Sequence, residues 1–202
     1  MEPYIVLDNY FSVDDSILRD ALAFYRQPKF QDFRLVSPGK MVDAYAFDEV
    51  IENNKELVEY KQEYLQPIAD QFLVKFNLHD IKNRCFFFVV QENKHAGWHI
   101  DAGKVATSPT GTVIDQKSLI TAAMNYSFND EKRASVKWRD SDKNVIAELK
   151  SYKCAMLDVL TEHMVDSENQ NFPERANFKI SFYEVPFQEI KKRIEKIIKG
   201  DV

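Results

Sequence analysis

From residue 84 onward the chain is a series of short blocks rich in β-branched and aromatic residues, cut by polar turns: CFFFVV (85–90), LITAAMNY (119–126), ASVKW (134–138), CAML (154–157) and FKISF (178–182). Blocks of this length are too short for buried helices and match strands bounded by turn residues. A chain that spends its second half this way must bury the blocks in a β core, over about 84–185. The flanks carry a different period. Ile17, Leu18, Ala21, Leu22 and Tyr25 recur at helical spacing, as do Leu57, Tyr64, Leu65, Ile68, Phe72 and Phe76. Helices are therefore expected within about 13–76, with Pro67 kinking the second. Ser12, three residues ahead of Asp15, is placed to cap the first. A short apolar run, YIVL (4–7), precedes them, and 30–47 reads as irregular with a turn at Pro38-Gly39. A last helix, about 186–199, opens at Pro186 and turns Phe187, Ile190, Ile194, Ile197 and Ile198 inward, leaving Lys191, Lys192 and Lys196 to water.

Composition sets the outer bounds. With 45% hydrophobic residues and only 5 Gly and 7 Pro in 202, the chain fits one domain spanning 1–202, undivided by any repeat, linker or low-complexity tract. The formal net charge of -5 gives no basic excess, so nucleic acid gripped through counterion release is not expected as a partner. No apolar run approaches the roughly 18 residues that span a bilayer, and MEPY at the start lacks the basic opening of a signal peptide. The expectation is a soluble, cytoplasmic protein without a membrane partner. Cys85 and Cys154 stand inside apolar blocks with no CxxC or Cys/His spacing, which predicts buried, reduced thiols.

Chemistry enters at GWHID (97–101). Alternate side chains of an extended segment share a face, so His99 and Asp101 point one way while Trp98 and Ile100 point the other. Alone, this pair reads equally well as a surface turn. His163, shortly after the block that ends Met156-Leu157, supplies a third candidate ligand. Two imidazoles and one carboxylate can cap one face of an octahedral Fe(II) and leave three positions open. The remaining histidines fit less well. His79 reads as a helix-terminal or surface residue, and His95, four residues before His99, as a loop residue near the mouth, because that spacing converges on a helix and not along a strand.

Taken in order, these pieces resemble the Fe(II)- and 2-oxoglutarate-dependent oxygenase superfamily, and more narrowly its small prolyl-4-hydroxylase-like and phage-type members. The resemblance covers most of the chain: HID (99–101) for the His-x-Asp motif, AMNYSF (123–128) for an apolar-Asn-Tyr run, KCAML (153–157) leading to the distal histidine, and HMV (163–165) for the family's His-x-Val. It implies a mostly β protein with flanking helices, its core a double-stranded β-helix, a cupin-like jelly roll. It further implies Fe(II) held by His99, Asp101 and His163, with 2-oxoglutarate and O2 as cosubstrates.

The resemblance also calls for a cation that holds the distal carboxylate of 2-oxoglutarate, on the strand after the distal histidine. PERANFKISF (173–182) offers two, and alternation places Arg175, Asn177, Lys179 and Ser181 on one face and Ala176, Phe178, Ile180 and Phe182 on the other. Arg175 is favoured: it lies 12 residues past His163, and a guanidinium grips a carboxylate through two hydrogen bonds. Lys179 with Ser181 resembles the family's Arg-x-Ser pairing and competes for the role. Family members often carry a Tyr before His-x-Asp; the run here is FVVQ (88–91), which leaves Gln91, Asn125 or Tyr126 to contact the cosubstrate. The usual Gly before the distal-histidine strand is Cys154, and NDEKR (129–133) replaces a glycine-rich turn. Residues 102–118, with Pro109-Thr110-Gly111, are expected as a loop that folds over the substrate.

The activity implied is hydroxylation of a small molecule, an amino acid or a peptidyl, prolyl-type side chain, with release of succinate and CO2. His95, Trp98, Lys104 and Trp138 are candidates for the mouth, the two tryptophans equally for the core. Two other readings are open at this level. One is a catalytically silent β-helix protein kept for binding or structure; the other is the same cage holding Zn(II) or Mn(II).

Overall fold

The computed structural model describes residues 2–36, 42–91, 97–101, 105–107, 113–115, 120–129, 135–166 and 174–200. Strands β1 (Tyr4–Val6), β2 (Arg34–Val36), β3 (Val42–Tyr45), β4 (Asn83–Val90), β5 (Val105–Thr107), β6 (Val113–Asp115) and β7 (Ile120–Ser127) precede β8 (Ser135–Arg139), β9 (Val145–Leu149), β10 (Cys154–Asp158), β11 (His163–Asp166) and β12 (Arg175–Tyr183). They form two sheets, the larger ordered β1-β10-β7-β12-β4-β3-β2-β5-β6 and the smaller β11-β8-β9. The chain crosses between them repeatedly. β4 lies in the larger sheet, and the segment around His99 bridges to β11 of the smaller. β7 returns to the larger, β8 and β9 lie in the smaller, β10 in the larger, β11 in the smaller and β12 in the larger. That winding is a double-stranded β-helix, the jelly roll expected from the sequence.

Helices α1 (Asp15–Tyr25), α2 (Asp48–Ile51), α3 (Lys55–Tyr60), α4 (Gln66–Lys75) and α5 (Phe187–Lys199) complete the order. Period-two alternation divides the apolar residues between two layers. On the outer face of the larger sheet, Met124 and Tyr126 of β7, Met156 of β10 and Ala176, Phe178, Ile180 and Phe182 of β12 pack with Leu18, Phe72, Ile190 and Ile194 of the helices. Between the sheets, Ala123, Ala155 and Leu157 meet Val136, Trp138 and Leu149. The intervening residues of β12, among them Asn177, Lys179 and Ser181, are buried and polar. This is the polar face that the sequence assigned them, and it looks into the jelly roll.

Several local expectations are corrected. The α1 cap is Asp14, whose carboxylate accepts the Ser16 N–H at 2.9 Å, and not Ser12. The long second helix is divided: α3 runs into a π turn at Lys61–Leu65 before α4. Pro67 has no N–H to return to the Glu63 carbonyl, so a wider register precedes it. The stretch 30–47 is not irregular, since β2 and β3 extend the larger sheet beyond β4, with Ala44 opposite Phe88. Pro38-Gly39 lie outside the described residues. The described parts of 102–118 form the β5-β6 hairpin on the edge of that sheet, Thr107 opposite Val36. β9 was absent from the expected strands; it forms an edge with Val145 and Ile146 exposed. Lys191 does not face water but donates to the carbonyls of Glu2 at 2.9 Å and Tyr4 at 3.3 Å, tying α5 to the first strand. Cys85 and Cys154 are free and buried, as anticipated. No helix among the described residues is long and apolar enough to cross a membrane.

Because opposite faces of β12 serve different purposes, Phe178→Ala is expected to cost about 3–5 kcal/mol in urea unfolding through the cavity it leaves against Phe87 and the helices. At low denaturant the variant should keep the wild-type circular dichroism, because the other face of the strand is unchanged.

Candidate metal centre

The segment carrying His99 docks as an edge strand on β11. His99 N–H donates to the His163 carbonyl and His163 N–H to the His99 carbonyl, each at 2.8 Å, and Asp101 N–H donates to the Val159 carbonyl at 3.0 Å. These backbone bonds bring together side chains far apart in sequence. The imidazole centroids lie 4.4 Å apart, and one ligand atom from each of His99, Asp101 and His163 falls within 4.8 Å of the others. Asp101 Oδ1 is 3.4 Å from His99 Nε2 and 3.9 Å from His163 Nε2.

The hydrogen bonds on the far side of each ring define what this cluster can hold. His99 Nδ1 lies 2.6 Å from the Gly97 carbonyl and His163 Nδ1 lies 3.0 Å from the Thr161 carbonyl. A carbonyl oxygen only accepts, so each Nδ1 carries the hydrogen, and in the neutral ring each Nε2 presents a lone pair. Three acceptors, two Nε2 and one carboxylate oxygen, then converge with no hydrogen between them. Such a set is matched by a cation, and carbonyl support of the outer ring nitrogen is the usual way ligating histidines are held. The donor types and number suit a divalent transition metal with open positions.

Charge is arranged to keep the carboxylate ionised. Lys179 Nζ donates to Asp101 Oδ2 at 2.9 Å, with the side chains 8% and 16% exposed. Burial pushes the Asp101 carboxyl up, but the Lys179 ammonium leads the opposing influences, and the group is held well below the usual carboxylate range. Burial also lowers His163 below its ordinary value, against the pull of Asp101, which favours the neutral ligand form.

Register sets the surroundings of Lys179. It lies between Phe86 of β4 and Asn125 of β7, its ammonium 4.9 Å from the Phe88 ring centroid. Ser181 Oγ and Asn125 Oδ1 are buried without hydrogen-bond partners among the described residues. Arg175 shares the face but starts the strand, opposite Val90, four residues from Lys179, or roughly 13 Å along β12. The cation beside the candidate metal ligands is therefore Lys179, where the sequence favoured Arg175.

Two other residues assigned to the cosubstrate face the wrong way. Tyr126 lies on the outer side of β7, its hydroxyl accepting from the Val13 N–H at 3.1 Å and lying 2.9 Å from the Val13 carbonyl. Gln91 continues the outer parity of Cys85, Phe87 and Val89, and donates to Asp43 Oδ2 at 2.6 Å. Of the three candidates, Asn125 alone faces the interior. Trp138 is core, stacked on Tyr4 and donating to the Asp158 carbonyl at 2.9 Å. His95 and Lys104 lie outside the described residues.

Sequence reasoning missed Arg139 and Glu162. Arg139 lies over the Trp98 ring at 4.4 Å and forms two hydrogen bonds, 2.6 and 2.5 Å, to Glu162 beside the distal histidine. Arg139 and Lys143 pull the Glu162 carboxyl down to about 2. Nothing in the local pattern marked this pair, since one partner follows a core tryptophan and the other sits in a turn.

A double-stranded β-helix with a His-Asp-His cluster between its sheets is the class of protein that fold and site define. No family model matches the chain, and no curated protein matches it in sequence. Among solved structures it is similar to an oxidoreductase of the 2OG-Fe(II) oxygenase family from Burkholderia pseudomallei. That match has 13% identity and a TM-score of 0.51, covering 90% of this chain and 84% of that one. A prolyl-4-hydroxylase from Pseudomonas putida matches at 10% identity and a TM-score of 0.47 over 90% of this chain and 91% of that one. A viral collagen prolyl hydroxylase from Paramecium Bursaria Chlorella virus-1, solved as its 2OG complex, matches at 12% identity and a TM-score of 0.43, covering 91% and 97%. The Burkholderia likeness shows the same overall fold.

The shifts of Asp101 and His163 have one sign: the unfolded chain binds more protons than the folded one, so stability falls as pH falls. In chelator, the melting temperature is expected to drop first below about pH 6.5, where unfolded His163 takes a proton, and again below about pH 3.9, where unfolded Asp101 does. His163→Gln should flatten the upper step, and an unchanged profile in that variant would contradict the assignment.

Proposed function

We propose that this protein is a non-haem Fe(II)- and 2-oxoglutarate-dependent dioxygenase that hydroxylates a small molecule, an amino acid or a peptide-borne side chain. The observation that carries the reading is the convergence of two Nε2 lone pairs and Asp101 Oδ1, each imidazole fixed from behind by a backbone carbonyl. His99, Asp101 and His163 would hold the iron on one face, leaving the opposite positions for cosubstrate and O2. When bound, iron and 2-oxoglutarate supply the oxidising chemistry, with succinate and CO2 as the products of the cosubstrate.

The chain supplies position. Lys179 is the candidate anchor for the distal carboxylate of 2-oxoglutarate, with the unpartnered Ser181 hydroxyl as a second donor and the Asn125 amide beside it. Arg175, four residues back along the strand and opposite Val90, is the competing anchor. The Phe86 and Phe88 rings flank the ammonium and keep water from it, which strengthens its hold on an anion. The acidic balance of the chain supports a substrate other than nucleic acid.

An anaerobic titration with Fe(II) and then 2-oxoglutarate tests this. The visible metal-to-ligand absorption of the chelated cosubstrate should appear in wild type and vanish in His99→Ala, Asp101→Ala and His163→Ala, each still folded by circular dichroism. Lys179→Ala should weaken 2-oxoglutarate by at least about thirtyfold, the loss expected when one partner of a buried charge pair is truncated. Arg175→Ala should leave it within about threefold, as for a charge outside the contact. No absorption in folded wild type would remove the oxygenase reading.

A further inference from the structure

Lys179 is buried against a ligand of the candidate metal, which anchoring a cosubstrate does not by itself require. Its ammonium lies 2.9 Å from Asp101 Oδ2, while Oδ1 of the same carboxylate faces His99 Nε2 at 3.4 Å and His163 Nε2 at 3.9 Å. One carboxylate thus serves the ammonium with one oxygen and the ion site with the other. A divalent ion on Oδ1 and an ammonium on Oδ2 would be like charges across a three-atom bridge, in a site where little solvent screens them.

Building on the metal-centre reading above, we propose that Lys179 is a built-in competitor of the metal for Asp101. In the metal-free protein it neutralises a carboxylate that burial would otherwise penalise. The same ammonium lowers the affinity of the site for a divalent ion. A carboxylate arriving beside the Ser181 hydroxyl, which is buried without a partner among the described residues and can donate to it, draws the ammonium away and frees Asp101 for the ion. Metal and anionic cosubstrate are then coupled through one side chain, and the coupling is reciprocal. A lysine suits this task because a point charge on a flexible stem can change partners, which a planar guanidinium locked in a two-point grip does less readily.

The test uses the full chain and Mn(II) alone, without cosubstrate, at pH 8, with binding read by calorimetry and by the free-Mn(II) electron paramagnetic resonance signal. K179M and K179Q are compared with wild type. The competitor role predicts that both variants bind Mn(II) about tenfold more tightly, because the like charge is gone. Unchanged affinity would leave the lysine an anchor only, and weaker affinity would make it a support that orients Asp101; either overturns the proposal. A variant that folds only with Mn(II) upholds it, since the metal then supplies the missing positive charge, whereas two variants that fold at no Mn(II) concentration overturn it. Wild type that takes up no Mn(II) removes the metal centre itself and this role with it. That outcome differs from wild type that binds normally while the variants are unchanged, which removes the lysine's role alone.

Discussion

The placement of the polar groups that face the triad from the larger sheet depends on the two-residue alternation of β12. One nine-residue strand supplies Ala176, Phe178, Ile180 and Phe182 to the helix-side core and Arg175, Asn177, Lys179 and Ser181 to the interior. A slip of one residue would exchange the two sets, burying a lysine under the helices and emptying the core of its aromatic rings. Pairing on both sides prevents that slip. β4 and β7 hold the strand along most of its length, and the apolar layer from α1, α4 and α5 rewards a single register.

The second support is backbone pairing in the smaller sheet. The reciprocal 2.8 Å backbone bonds between His99 and His163 set the two rings side by side. Asp101, two residues on, is tied to the Val159 carbonyl. Ligands set on ladders hold their geometry better than ligands set on free loops, and the carbonyls behind each Nδ1 remove the remaining freedom of ring orientation. Trp138 lies directly opposite His163 in the β8–β11 register and is fully buried, so the distal histidine stands on a packed floor.

Alternation and spacing in the sequence were enough to find β1, β4, β7, β8, β10 and β12, the three side chains that cluster as candidate ligands and the polar face of β12. They could not find depth. Arg175 and Lys179 have the same parity, and only the register against Phe86 and Asn125 says which of them reaches the triad. Parity did contain one unused constraint: Asn125 and Tyr126 are consecutive on a strand and cannot both face the interior. Gln91 falls to the same rule once Cys85, Phe87 and Val89 are assigned to the helix side. Short elements such as β2, β3 and β9 escaped because three to five residues carry too little pattern to separate from loop. Lys191 escaped because the carbonyls of Glu2 and Tyr4 that receive it come from the opposite end of the chain.

Electrostatics explains why a carboxylate can sit between the sheets before any ion arrives. A buried, unpaired charge is costly enough that the group would take up a proton or drive the segment outward. Paired with Lys179, Asp101 stays ionised and in place, and burial favours the neutral form of His163 beside it. The pair contributes little net stability, since desolvating both partners offsets most of their attraction. What it secures is a definite position for the carboxylate in the metal-free fold. The cluster is then preformed by the protein, and an ion entering it meets oriented lone pairs instead of having to collect three ligands from mobile segments.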